Sequence, residues 1–261
     1  MKYVFAIIFS LITSRIYGGN IALNGSFWQK DGRSIALGGG INAIDQSASR
    51  EIAISYFLPY HLSEISTRSI KLAYHTKWMN MNGLWSQTGD AVYLEDYLAL
   101  GASRSLSGSF ILGAKAGYYH YAFISEEKGS AWLSEIHCSY KPYEKMQINI
   151  YLFNPTGSKI KQAGKENFLS QSFHFGGSFY PAKNTEWVVE LEKEQQEELI
   201  WHVGFEYGIG DIFFIRTGFS VQPLKPSLGI GGQIHHFKYA FGGNIHPVLG
   251  FSSCFSLYYN W

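Results

Sequence analysis

The chain has 261 residues, of which 46% are hydrophobic, 17% aromatic and only 16% charged, with 28 glycines and a formal net charge of +1. So balanced a charge gives no electrostatic footprint for a nucleic-acid partner. The aromatic and glycine content matches a membrane β-barrel, which uses aromatics as interfacial girdles and glycine where its wall bends or a plug approaches.

Residues 1–19 read as a secretory signal. Lys2 is the positive start and Val4 to Ile12 the apolar stretch, too short to cross a bilayer as a helix. Cleavage is expected near Gly18 or Gly19, and without a cysteine after it no lipid anchor is implied. A short buried helix is the competing reading. No later apolar run approaches the roughly 20 residues of a transmembrane helix. An exported chain of that kind is soluble or an outer-membrane barrel.

Residues 20–49 do not alternate cleanly. They hold Gly38-Gly-Gly40 and the polar stretch Asn42 to Arg50. They are expected to fold into the lumen as a short plug, with a flexible tail as the alternative.

From residue 50 to 261 apolar and polar residues alternate with a period of two, the mark of strands with one apolar and one polar face. Ile70, Leu72 and Tyr74 oppose Lys71; Leu112, Ala114 and Tyr118 oppose Lys115; Trp132, Ile136 and Tyr140 oppose Glu135 and His137. Trp187, Val189 and Leu191 oppose Glu190 and Glu192; Trp201, Val203, Phe205 and Tyr207 oppose His202 and Glu206. Phe173, Phe175 and Phe179 read as lipid-facing wall, whereas Tyr119 and Tyr121 share the inward parity of Lys115. A soluble β-sandwich also alternates, but carries more charge on its outer face. All seven prolines are placed between the runs, where no ladder donor is needed. Asn154 to Asn167 reads as an exposed loop, and Glu194 to Glu198 as a charged tip. The result is an all-β fold: a closed antiparallel transmembrane barrel of about 14 strands over residues 50–261.

The last strand runs from Phe251 to Trp261 with Phe255, Leu257, Tyr259 and Trp261 on one face. Those four are expected to be the signal read by the barrel assembly machinery. Cys254 shares the opposite, luminal face with Ser252 and Ser256, while Cys138 lies on the lipid face with Trp132 and Tyr140. Two thiols on opposite faces cannot meet disulfide geometry, so both are expected to be free.

Gly32-Arg-Ser-Ile-Ala-Leu-Gly-Gly-Gly40 followed by Glu51-Ile-Ala-Ile-Ser-Tyr56 resembles the opening of the FadL-like PorV/PorQ barrels. Tyr93-Leu-Glu-Asp-Tyr-Leu-Ala-Leu-Gly101 with Ser107-Gly-Ser-Phe-Ile-Leu-Gly113 resembles their central hairpin, and Arg216-Thr-Gly218, Leu228-Gly-Ile-Gly-Gly232, Leu249-Gly-Phe251 and Phe255-Ser-Leu257 their closing strands. The family's Asn-Pro-Ala segment is missing; Ala43 to Arg50 stands in its place. The resemblance implies an outer-membrane barrel of the Bacteroidetes type. It implies either an accessory of type IX protein secretion, with secretion-system or surface proteins as partners, or a channel for hydrophobic small molecules.

Catalytic chemistry is not signalled. There is no Gly-x-Ser-x-Gly elbow, and adjacent strand residues such as His235 and His236 point to opposite faces and cannot share a metal. Glu135 with His137, and His202 with Glu206, each offer half of a dyad, but such pairs more often fill a polar interior. Lys115, Tyr119, Glu135, His137, His202 and Glu206 are therefore expected to line the lumen of a non-enzymatic barrel without cofactor or metal, its contacts being outer-membrane lipid and either protein partners or a hydrophobic ligand.

Overall fold

The computed structural model describes residues 20–21, 30–41, 50–124, 128–162, 165–195, 197–210 and 212–261. The signal-sequence reading of residues 1–19 lies outside them.

The strands are β1 (Asn20–Ile21), β2 (Arg50–Leu58), β3 (Thr67–His75), β4 (Asn80–Gly89), β5 (Tyr93–Ser107), β6 (Phe110–Phe123), β7 (Lys128–Tyr143), β8 (Met146–Phe153), β9 (Lys159–Gln162), β10 (Lys165–Leu169), β11 (Ser172–Ala182), β12 (Thr185–Glu194), β13 (Leu199–Ile209), β14 (Phe213–Val221), β15 (Lys225–Ile234), β16 (Phe237–His246) and β17 (Gly250–Asn260). Fourteen of them, β2–β8 and β11–β17, close into one antiparallel barrel. The seam joins β17 to β2, with Phe255 opposite Tyr56 and Asn260 opposite Glu51. Closure removes every free edge, the only way a sheet can satisfy its backbone within lipid.

Alternation sets the two faces. On β2, Ile52, Ile54 and Tyr56 face out while Glu51, Ala53 and Ser55 are buried within. Exposed aromatics gather at both rims: Tyr74, Tyr140, Phe179, Tyr207, Phe237 and Tyr259 near the Asn260 end, and Tyr56, Phe123, Trp201, Phe219 and Phe251 near the other. Two aromatic rings around an apolar outer wall are the interfacial girdles of an outer-membrane barrel. Connections at the Asn260 end are short, two residues each at 108–109, 144–145, 183–184 and 235–236. Residues 59–66 and 154–171 connect strands at the opposite end. Short turns mark the periplasmic side and longer connections the outside.

Two expectations need correction. The segment 154–167 is not an exposed loop. It continues into a hairpin, β9 and β10, joined in parallel by β1, that folds against the inner wall, with Ile160, Leu169 and Asn154 fully buried. The apolar side chains of the hairpin find the aromatic interior, while Lys159 and Glu166 stay in water as an exposed ion pair. Nor do all prolines sit between strands. Pro142 and Pro181 lie in the irregular ends of β7 and β11, and Pro226 is the second residue of β15. A strand end or bulge needs no donor at those positions. Cys138 and Cys254 are both free, on opposite faces.

A short helix, α1 (Gly32–Ala36), lies inside the barrel. Asp31 and Ser34 form a reciprocal cap, with Ser34 N–H donating to Asp31 Oδ1 at 2.6 Å and Asp31 N–H to Ser34 Oγ at 3.2 Å. At the other end Gly39 N–H returns to Ser34 O at 2.7 Å and Gly38 N–H to Ile35 O at 3.3 Å, with Gly38 at φ +96°. That is a glycine-dependent helix stop, closed to a residue with a side chain.

Candidate functional site: a two-sided lumen

The plug segment, residues 31–41, crosses the inner wall from β17 to β12. Gly32 N–H donates to Ser256 Oγ at 2.9 Å and Ser227 Oγ donates to Ala36 O at 3.0 Å. Gly38 O accepts from the His202 ring at 2.7 Å, and Ile41 N–H donates to Glu190 Oε1 at 3.2 Å. The wall beneath is stripped of side chains. Gly204 and Gly218 are direct cross-strand partners, as are Gly229 and Gly242. A Cβ at Gly218 would stand 2.6 Å from Gly38 N and Leu37 C, and one at Gly204 2.6 Å from Leu37 O. The glycines thus form a trough in which the plug backbone lies directly on the wall.

Around this trough the lumen is ionic. β12 aims Glu186, Glu190, Glu192 and Glu194 inward, in alternation with outward Trp187, Val189 and Leu191. Arg33 of α1 spans two strands, with Nη2 2.6 Å from Glu186 Oε2 and Nε 2.9 Å from Glu206 Oε2. Arg216 reaches the same Glu206 oxygen at 2.5 Å. Arg33, Glu206 and Arg216 line a cavity of about 410 Å³, its open mouth included, together with Gln233, Lys238 and Tyr258. Burial holds the Lys30 ammonium below its ordinary range, Lys225 adds to this, and Glu192 opposes it.

The other half of the lumen, on β4–β8, holds an apolar and aromatic cluster set among inward Glu95, Lys115, Glu135 and Asn149. Leu84, Tyr97, Tyr119, Tyr121, Leu133 and Phe153 form a buried cluster with Ile160 and Leu169 of the inner hairpin. Tyr119 and Tyr121 stack with ring centroids 6.3 Å apart. Two polar tips are paired within the layer: Tyr97 OH donates to Glu135 Oε1 at 3.0 Å, and Lys115 Nζ pairs with Glu135 Oε2 at 2.9 Å. His137 stacks on Tyr151 at 5.8 Å.

The six luminal residues singled out from sequence therefore separate. Lys115, Tyr119, Glu135 and His137 come together on β6 and β7, where Lys115 and Glu135 are direct cross-strand partners. His202 and Glu206 share β13 but not a partner: His202 pairs with Glu192 and the plug, Glu206 with Arg33 and Arg216. Neither half-dyad is completed by its own strand. Phe255, Leu257, Tyr259 and Trp261 lie on or just beyond closing strand β17, with Phe255, Tyr259 and Trp261 strongly exposed on the outer wall.

Sequence reasoning missed His174. Its Nδ1 is 2.7 Å from Glu190 Oε1 and its Nε2 3.2 Å from Ser172 Oγ. This Ser–His–Glu chain has the connectivity of a nucleophile, base and orienting acid. It lacks the rest of such a site: Ser172 is buried, and its backbone is laddered to Phe153 on one side and Glu194 on the other, leaving no cradle of N–H groups for an oxyanion. Its members stand on two strands joined only by register, so no local spacing in the sequence announces them.

No protein-family model matches the chain, and no curated protein sequence is similar to it. Solved structures are. The P. putida toluene transporter TodX aligns with a TM-score of 0.62 at 8% identity, covering 90% of this chain and 99% of that one. The monoaromatic hydrocarbon channel CymD gives 0.59 at 8% identity over 88% and 97% of the two chains, and the Acinetobacter baumannii outer-membrane protein Omp33 gives 0.53 at 8% over 82% and 98%. The fold is that of a 14-strand outer-membrane barrel of the FadL/TodX type. With the girdled outer wall, it makes the chain an integral outer-membrane protein.

Proposed function

We propose that this barrel is a channel for small apolar molecules. The observation that carries the reading is the apolar and aromatic cluster in its lumen. Barrels that pass polar solutes line the pore with polar side chains, because the path is water-filled. Here β4–β8 turn Leu84, Tyr97, Tyr119, Tyr121, Leu133 and Phe153 inward, and an inner hairpin contributes Ile160 and Leu169. These side chains are buried against one another and against the hairpin, so an apolar solute would bind by taking the hairpin's place on them and keeping apolar area out of water. The likeness in fold to a toluene transporter and a monoaromatic hydrocarbon channel supports this class of solute. The plug lies against the ionic half, where charged side chains disfavour an apolar solute, so the proposed path runs where the hairpin packs. The secretion-accessory role rests on sequence resemblance alone.

The test is uptake of a radiolabelled monoaromatic hydrocarbon and a long-chain fatty acid by cells with and without the protein in their outer membrane, beside permeation of a small sugar. Faster uptake of either apolar solute with no gain for the sugar is expected, and Gly129→Phe, aimed at Tyr121 and Ile160, should reduce it. Sugar permeation without apolar uptake would refute the reading. No apolar uptake, with surface-protein secretion lost when the gene is deleted, would return the accessory role.

A further inference from the structure

Four inward side chains on β11, β12 and β13 form a crossed square. His174 stands directly opposite Glu192 and His202 directly opposite Glu190. Yet each ring is bonded to the diagonal carboxylate, His174 Nδ1 to Glu190 Oε1 at 2.7 Å and His202 Nε2 to Glu192 Oε2 at 2.8 Å. Donor atoms of His174, Glu190 and Glu192 all lie within 4.8 Å of one another. Glu190 is fully buried, His174 nearly so, and Glu192 partly open to the lumen.

We infer that His174, Glu190 and Glu192 form a binding site for one divalent transition-metal ion, with His202 holding Glu192 from behind and linking the site to the plug. One imidazole and two carboxylates suit a borderline ion such as Zn²⁺, and two anionic ligands match its charge. The tautomer of His174 is free to adapt. Its Nε2 lies 3.2 Å from the Ser172 hydroxyl, which donates or accepts equally well, so Nε2 can carry the proton and leave the Nδ1 lone pair for a metal ion. His202 supplies the outer support that ligating carboxylates receive. Both of its ring nitrogens face acceptors, Nε2 the Glu192 carboxylate and Nδ1 the Gly38 carbonyl, so it serves both as an imidazolium. The second independent tie is at Glu190, which accepts from the Ile41 N–H. Two of the plug's anchors are thus the ligand Glu190 and the ligand-supporting His202. Glu192, with 21% of its side chain exposed, gives the ion an entry path from the lumen. Metal binding would therefore fasten residues 38–41 to the wall.

The test uses the full barrel in detergent, without a polyhistidine tag, stripped with chelator. Zn²⁺ is titrated calorimetrically, and Cu²⁺ is read by electron paramagnetic resonance. One ion per barrel and one coordinated imidazole nitrogen are expected. His174→Ala should remove the nitrogen signature, and Glu192→Gln should weaken binding by about 100-fold or more; His202→Ala should weaken it by about 10–100-fold and keep the signature. Added Zn²⁺ should slow amide exchange at Gly38–Ile41 in the wild type and not in Glu192→Gln. Absence of stoichiometric binding in the wild type, a copper spectrum without nitrogen, or wild-type affinity in both His174→Ala and Glu192→Gln would overturn the inference. If His174→Ala does not fold, the wild-type spectrum and Glu192→Gln still decide it. Because none of these readouts involves transport, they stand apart from the channel proposal.

Discussion

Replacing Gly218 by alanine tests whether the plug is held by backbone contact with the wall. The new Cβ would sit 2.6 Å from Gly38 N and from Leu37 C, against an ordinary contact of 3.4 Å or more. Both are backbone atoms, so no side-chain rotation relieves the overlap. The plug must rise by about 0.8 Å or the core must bear the strain, which costs roughly 1–3 kcal/mol. A lift of that size stretches the 2.7 Å bond from His202 to Gly38 O and the 3.0 Å bond from Ser227 to Ala36 O past useful length. Each is worth about 1 kcal/mol. Either way the cost is about 2 kcal/mol, or roughly 30-fold in the population of docked plug. Hydrogen–deuterium exchange should then accelerate by about that factor at the amides of residues 35–39, with heat-modifiable gel migration unchanged because the ladder is intact. Gly108→Ala, in a turn with nothing within 4 Å, is the matched control. Wild-type exchange at residues 35–39 in Gly218→Ala would show that the plug is not seated on the glycine trough.

Arg33→Gln should loosen the plug as well, at the lower end of the roughly 3–5 kcal/mol for breaking a buried ion pair, since Glu186 and Glu206 lose a shared cation. Adding Glu186→Gln should recover part of that loss, and exchange of the same amides would show whether it does. On the outer wall, Ile230→Arg should cost about 2–4 kcal/mol in urea titrations of folding into bilayers, and Ile234→Arg, near the strand end, about 0–1 kcal/mol. Equal costs at the two positions would contradict the placement of the membrane.

The barrel was legible because burial on one face writes itself into every second residue. Ile70, Leu72 and Tyr74 are apolar because they meet lipid, and Lys71 is not because it meets Glu51 across the strand pair. The inner hairpin escaped because its strands are four and five residues long, too short for periodicity to register. Only the packing of Ile160 against Tyr121 and Gly129 reveals its destination. The His174 square escaped for a different reason. His174 and Glu192 are 18 positions apart in the chain and become neighbours only through register, which the turn at 183–184 sets. Likewise Arg33 could be read as part of a motif, but its two carboxylate partners lie on β12 and β13 and only the fold brings them to it.

The division of the lumen gives the inner wall two characters. On β12–β14 Glu186, Glu206 and Arg216 set fixed charges of both signs beneath the Arg33 of the plug. Across from them Tyr97, Tyr119 and Phe153 pack against the inner hairpin. On the channel reading, an amphiphile crossing such a section would turn its charged end toward β12 and its tail toward β6.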